Sequence, residues 1–421
     1  MNTTYTRRRE SNRTAAAYDL DRLCRNPLVH GVDVKIFEPA TLGPLRLRNR
    51  VIKAATFEGR TPNALVTDEL IEFHRTVAAG GVGMTTVAYC ASSPEGRTDR
   101  HQMWMRPEAV PGLTRLTEAV HAEGAAISAQ IGHAGPVANS KSNRATAVSA
   151  SWQISPLSLR LTKTASALDL DRIVTDHARA ARIAVDSGFD SVELHFGHNY
   201  LVSSFLSPAL NHRSDRFGGS LKNRARVALA VAAAVRAEVG TEIAITAKLN
   251  MDDGVPGGFW LAESMQVAQW LERDGSLDAL ELTAGSSLKN PMYLFRGDVP
   301  LRDFAASFPQ PQRMGIRMVG TKFLRAYPYH EAYLLDQARQ FLSAVNLPII
   351  LLGGISTRTT MDRALAEGFQ FVAMARALLR EPDLINRMHT EETTNSLCIH
   401  CNRCMPTIYS GTRCVLVPEK A

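Results

Sequence analysis

The chain lacks the marks of several protein classes. It has no long apolar run: stretches such as Leu347-Pro-Ile-Ile-Leu-Leu-Gly353 are far too short to cross a bilayer. Aromatic residues make up only 7% of its 421 residues. None interleave with the basic run Arg7-Arg8-Arg9, so a nucleic-acid surface is not expected there. No apolar signal core follows those arginines either, which argues against an export leader and for a cytoplasmic protein. No internal repeat is visible. Cysteine is scarce outside one place. Of six, four (Cys398, Cys401, Cys404 and Cys414) crowd the C-terminal region, leaving Cys24 and Cys90 elsewhere. Without a secretory signal, such crowding points to metal or redox chemistry rather than to disulfides.

The remaining composition is ordinary for a globular protein, at 45% hydrophobic and 21% charged, with a net charge of +7. Residues 1–30 hold six arginines against Glu10, Asp19 and Asp21. Residues 1–34 therefore read as a flexible basic arm. From residue 35 onward, strand and helix patterns alternate. The strands are expected at Val51–Thr56, Gly83–Ala88, Ala125–Ile131, Phe189–His195, Glu242–Lys248, Leu277–Thr283, Leu347–Gly353 and Phe369–Met374. Helices are expected between them, among them 220–239, 261–273 and 329–344. Residues 132–165 read as a long loop. Residues 285–328 read as an irregular lid or substrate loop. Eight β/α units in about 350 residues predict an α/β protein, a (β/α)8 TIM barrel over 35–390 with a long loop insertion and a Cys-rich extension at 391–421. A doubly wound open sheet would show a Gly-rich turn after its first strand, and Lys53-Ala-Ala-Thr-Phe57 has none.

Barrel enzymes carry their chemistry at the C-terminal ends of the strands. The fourth strand is the most telling. In Val192-Glu-Leu-His-Phe-Gly-His-Asn-Tyr200, an alternating strand ends in His195, His198 and Tyr200, three groups that hold or move protons. The other strand ends supply Thr56, Tyr89, Gln130 and Lys248. Gly353-Gly354 after strand seven and Ala375-Arg376 after strand eight each lead into a helix N-terminus. Together they predict a phosphate site. Lys248 has three readings: a Schiff-base amine, a charge held against a bound ring system, or a surface lysine with a buried stem.

Four stretches carry a resemblance to a known family: Leu47-Arg-Asn-Arg50-Val, Ala129-Gln-Ile-Gly-His-Ala-Gly135, the fourth-strand block through Phe217-Gly-Gly-Ser-Leu-Lys-Asn-Arg-Ala-Arg226, and Gly353-Gly-Ile with Ala375-Arg376. Over roughly 35–390 the chain resembles the flavin-dependent Old Yellow Enzyme family of ene-reductases. The resemblance implies FMN across the barrel top and NAD(P)H as reductant. Gln130 would hold the pyrimidine edge of the flavin, and Lys248 would favour the anionic reduced ring. Thr56 and Tyr89 would frame the other edge, and Gly353, Gly354, Ala375 and Arg376 would bind the phosphate. His195 and His198 would bind a substrate carbonyl. Tyr200, whose residue type has an ordinary pKa of about 10, would deliver a proton. The implied reaction reduces an activated C=C bond of an enone or enoate. The pattern departs from the family at Phe57, Pro136 and Asn199, so the substrate does not transfer.

The segment Cys398-Ile-His-Cys401-Asn-Arg-Cys404, then Cys414, resembles the iron–sulfur segment of the trimethylamine dehydrogenase and 2,4-dienoyl-CoA reductase branch. Its implied ligand is a [4Fe–4S] cluster, with zinc or free thiols as alternatives. Two competing functions remain. One is a flavin-dependent amine dehydrogenase or N-demethylase with such a cluster, in which Trp104, Tyr293, Phe295 and Tyr327 could cage a cationic amine. The other is a Schiff-base aldolase built on Lys248. The expected partner is a small-molecule substrate, with a homo-oligomer possible and no nucleic acid or membrane.

Overall fold

Eight short runs rich in Val, Ile, Leu and Ala form the frame, and nearly all of their residues are buried. The computed structural model describes residues 35–155, 158–308, 310 and 312–418. The arm expected at 1–34 lies outside the described residues. The barrel strands, in chain order, are Val51–Phe57, Met84–Ala91, Ala126–Gly132, Ser191–Phe196, Ala244–Asn250, Ala279–Thr283, Ile349–Leu352 and Phe371–Met374. All neighbours pair in parallel, and the eighth strand pairs with the first, so the sheet closes as a (β/α)8 barrel. Helices such as Asp68–Ala79, Val110–Ala122, Ala167–Asp186 and Arg226–Val239 run between the strands. The Ala167–Asp186 helix begins in a capping box, in which Ser166 and Asp169 each satisfy the other's backbone N–H. No helix among the described residues is long and apolar enough to cross a membrane.

The bottom of the barrel is sealed by a hairpin, Ala40–Leu42 paired with Leu45–Leu47. Its Leu42 and Leu47 pack with Ile52, Ala54, Met84, Ala244, Ala279, Ile350 and Phe371. Arg48 follows the hairpin and is not part of the first strand. Its guanidinium donates to the carbonyl oxygens of Ala78, Val82 and Glu123. One side chain thus satisfies the orphan carbonyls at the C-terminal ends of two helices.

Several expected boundaries shift. Residues 285–328 contain the helices Met292–Phe295, Leu301–Ala306 and Gln312–Phe323, where an irregular stretch was expected. Residues 132–165 hold a short helix, Ser140–Asn143, and a two-stranded pairing of Val148–Ser149 with Lys163–Thr164. The helix expected from 329 begins only at Leu335. Tyr329 to Leu334 is instead a connection in which the Glu331 carboxylate accepts from the backbone N–H groups of Ser356 and Thr357. The helix expected over 220–239 is interrupted at Ala225.

Behind the first strand lies a buried ion pair. Lys53 Nζ donates to Thr56 Oγ1 at 2.9 Å and to Glu58 Oε1 at 3.3 Å. Glu58 also accepts the Ala88 N–H and lies 3.4 Å from His74 Nε2. Burial pulls the Lys53 amine below its ordinary range, and Glu58 opposes that. This cluster braces Thr56 and Ala88 at the barrel rim. Removing one partner of a buried pair strands the other's charge. Lys53→Met should therefore cost about 3–5 kcal/mol in urea denaturation, part of it recovered by adding Glu58→Gln. A loss below about 1 kcal/mol would mean that the Ala88 N–H and His74 alone hold the carboxylate.

Candidate active site

The C-terminal ends of the strands and the loops above them enclose a cavity of about 670 Å³. It unites every residue singled out for catalysis or cofactor binding. Thr56, Tyr89, Gln130, His195, His198, Tyr200, Lys248, Gly353, Gly354, Ala375 and Arg376 all line it. Its outer wall comes from the helices between residues 292 and 323, with Phe295, Phe304, Ile316 and Phe323, and from Met405 and Ile408 beyond the barrel.

Strand alternation places His195 on the same side of the fourth strand as Glu193. The chain then turns through His198 (φ 60°) and Asn199 (φ 59°), both left-handed, into the helix Leu201–Leu206. That turn gathers three rings. His195 and Tyr200 lie 4.6 Å apart between centroids, and His195 and His198 lie 5.2 Å apart. His198 is fixed at both ends: its N–H donates to Asn250 Oδ1, and its Nε2 sits 2.8 Å from Thr283 Oγ1. Burial, reinforced by the Lys248 ammonium, pushes the His198 imidazole down to about 3. Burial, then His198 and Lys248, holds His195 well below its ordinary value. Both rings are thus neutral at working pH, each with one N–H donor and one acceptor nitrogen. His195 Nδ1 is buried and has no hydrogen-bond partner among the described residues.

Lys248 is not a free ammonium. Its Nζ lies 2.8 Å from Glu193 Oε1 and 2.7 Å from Glu281 Oε1, and all three side chains are buried. Burial alone would lower the amine's pKa, but the two carboxylates outweigh it and raise the pKa. A Schiff-base lysine must be neutral to attack a carbonyl, so this environment contradicts the aldolase reading. Gln130 Nε2 donates to the same Glu193 at 2.6 Å. The sequence reading missed both carboxylates. The signal was present: each is a charged residue flanked on both sides by apolar strand residues, Glu193 by Val192 and Leu194 and Glu281 by Leu280 and Leu282. Their convergence depends on register, with Glu193 beside Gln130 and Glu281 beside Lys248 across neighbouring strands.

At the other end of the cavity, Gly353 (φ 107°) and Gly354 (φ 77°) hold conformations that side chains rarely adopt. A Cβ on Gly353 would lie 2.6 Å from Leu334 Cγ. The backbone is therefore bare where the wall meets Arg376. The Arg376 guanidinium is steadied by the Arg296 carbonyl and by Asn402 Oδ1. Two glycines with bare backbone and an arginine suit the phosphate of FMN. Gln130 and Lys248 offer the donors that a pyrimidine edge needs. The cavity fits that cofactor.

Cys398, Cys401, Cys404 and Cys414 all line one small adjoining pocket, with Ile399, Val415 and Leu416 among its walls. All four are free thiols. Among the described residues no three His, Cys, Asp or Glu side chains are grouped as ligands of a single metal ion. This does not support the zinc alternative. A cluster differs, because each of its cysteines binds a separate iron. Cys404 and Arg376 line this pocket and the large cavity alike. The expected amine cage does not assemble. Of its four aromatics only Phe295 lines the cavity. Tyr293 packs edge-on against Tyr327 at 5.3 Å, and Trp104 lies under Arg106.

The model of the NADH:flavin oxidoreductase / NADH oxidase family matches residues 35–284. The 4,4'-dithiodibutanoate disulfide reductase of Rhodococcus erythropolis is 56% identical over 381 residues, 90% of this chain and 94% of that protein. A metal reductase of Desulforamulus reducens is 34% identical over 89% of this chain, but the match spans only 52% of that longer protein. Among solved structures, 2-naphthoyl-CoA reductase in complex with 2-naphthoyl-CoA matches with a TM-score of 0.78 at 23% identity. That match covers 92% of this chain and 57% of the other, and it supports the fold.

The neutral state of the two site imidazoles can be read directly. In protein carrying ¹⁵N-labelled histidine, His195 and His198 should keep the neutral nitrogen shifts from pH 5 to 8. A protonated signature from either ring in that range would contradict the burial argument.

Proposed function

The chain belongs to the NADH:flavin oxidoreductase / NADH oxidase family, as a flavin-dependent oxidoreductase using NADH or NADPH, and from that premise we propose that it reduces a small electrophile. The acceptor would take a hydride at one atom and develop negative charge at another. The observation that carries this reading is the convergence of two neutral imidazoles and a phenol on the cavity that Lys248 also lines. Gly353, Gly354, Ala375 and Arg376 would hold the FMN phosphate. Gln130 and Lys248 would meet the pyrimidine edge, and the backbone at Thr56 and Tyr89 would meet the opposite edge. When bound, FMN supplies a hydride obtained from NAD(P)H.

Two acceptor classes fit these residues. In an activated alkene the hydride goes to the β-carbon and charge gathers on the carbonyl oxygen. Imidazole N–H groups of His195 and His198 would hold that oxygen, and Tyr200 would protonate the α-carbon. In an organic disulfide the hydride makes one sulfur a thiol and the other leaves as a thiolate, which Tyr200 would protonate. The disulfide reading is favoured by the 56% identity to the Rhodococcus enzyme along nearly its whole length. For the four cysteines we propose a [4Fe–4S] cluster, on the ground that four thiols share one pocket with apolar walls beside the flavin cavity.

Anaerobic oxidation of NADH and NADPH should be followed with 4,4'-dithiodibutanoate and with a cyclic enone as alternative acceptors. Faster turnover with the disulfide is expected. Turnover of the enone alone would leave the alkene reading, and turnover of neither would remove both. Tyr200→Phe should slow the acceptor step by about 10²–10⁴-fold while leaving hydride uptake from NAD(P)H unchanged. Equal rates in both steps would exclude Tyr200 as the donor. Anaerobically purified protein should carry about four iron atoms per chain, and Cys401→Ser should lose them. Iron-free wild type would leave the thiols unligated.

A further inference from the structure

The Lys248 trio contains one more carboxylate than its cation can match. Glu193 and Glu281 both reach Lys248 Nζ, at 2.8 and 2.7 Å, and all three side chains are at most 4% exposed. Other charge nearby does little to relieve the surplus. Gln130, on the third strand, gives Glu193 a neutral donor. The seventh strand, which pairs with Glu281's own, brings only Ile349, Ile350, Leu351 and Leu352. Lys53 acts on Lys248 and Glu193 from a distance, and its ammonium is spent on Glu58. His195 and His198 are neutral by the argument above. A buried group of net charge −1 invites a proton.

We propose that Glu281 is the proton-uptake residue for hydride entry into this site, acting through Lys248. The inference rests on the functional reading above, in which Lys248 meets the pyrimidine edge of FMN. A hydride carries one proton and two electrons, so each one delivered to a bound FMN would add a single negative charge at the edge that Lys248 would meet. That charge draws on the same ammonium that the two carboxylates share. The balance is restored when one proton from solvent binds the Glu281 carboxylate, leaving Lys248 to face the ring and Glu193. When the hydride passes on to an acceptor, Glu281 returns its proton. Glu281 touches no substrate, so it is a positioning residue that sets charge rather than geometry.

The test is a proton count on the FMN-loaded enzyme, reduced anaerobically with NADH in weakly buffered solution containing a pH indicator. Burial first, then Glu193, holds the Glu281 carboxyl up to about 8 despite Lys248. The sign follows: above that pH Glu281 starts ionised and can take a proton, whereas well below it the proton is already in place. Wild type at pH 8.5–9 should therefore take up close to one proton more per flavin reduced than Glu281→Gln. At pH 6 the difference should vanish. Equal counts in the two proteins at high pH would overturn the proposal. If Glu281→Gln fails to fold, wild type alone decides. Uptake that does not fall between pH 9 and pH 7 also overturns it. Failure of wild type to bind FMN, or of its flavin to be reduced, would instead strike the functional reading itself. Glu193→Gln serves as a second variant. It leaves the group neutral before reduction and at net −1 after it, so it too should lose the extra uptake at pH 8.5–9.

Discussion

One buried ammonium between two carboxylates organises the upper half of this barrel. Neither sign is tolerable there alone. Stranding a single charge in such a place costs several kcal/mol, about 3–5 in measured cases. The three side chains therefore hold one another, and by doing so they tie the fourth, fifth and sixth strands together from inside. Gln130 brings in the third strand through Glu193. Below this layer lies an apolar cluster to which the hairpin contributes Ala40, Leu42 and Leu47. The cavity above consequently has a rigid polar floor, which a flat heteroaromatic ring requires if it is to be held in one orientation.

The cavity is divided electrically. Arg376 and the two glycines make a positive, backbone-lined end suited to an anion. The opposite end carries the neutral imidazoles and Tyr200, which can donate and accept hydrogen bonds without adding net charge. A substrate group that becomes negative during reaction meets donors there that do not need to reorganise. Loops above the strands supply the walls, while the groups that matter most stand on the strands or one turn beyond them. This is the division of labour expected of the fold.

Much of this was legible in the sequence. The eight strands announced themselves as short runs of Val, Ile, Leu and Ala between helical stretches. His195, His198 and Tyr200 stood out because strand alternation ends in a cluster of proton-handling groups. What stayed hidden was set by distance in space. Nothing local in Leu280-Glu-Leu-Thr283 says that Glu281 meets Lys248; the register between the fifth and sixth strands decides it. The lid helices were hidden for a different reason. Met292–Phe295 and Leu301–Ala306 are too short for a 3.6-residue period to show, and a proline precedes each. Gln312–Phe323 carries Gly315 and Gly320, which blur its pattern. The aromatic cage failed because edge-to-face packing satisfied Tyr293 and Tyr327 first.

The rim of the first strand is held by residues far along the chain. The Thr412 N–H donates to the Glu58 carbonyl, and its hydroxyl to that of Phe57, a partner 355 residues away. Thr412, Ile408 and Met405 also form part of the cavity wall. All eight strands precede those residues in the chain, since the last strand ends at Met374. The completed cavity must wait for them. The sheet can thus be complete in sequence before its chamber has all of its wall, and a cofactor meets a finished wall only once Met405, Ile408 and Thr412 have docked.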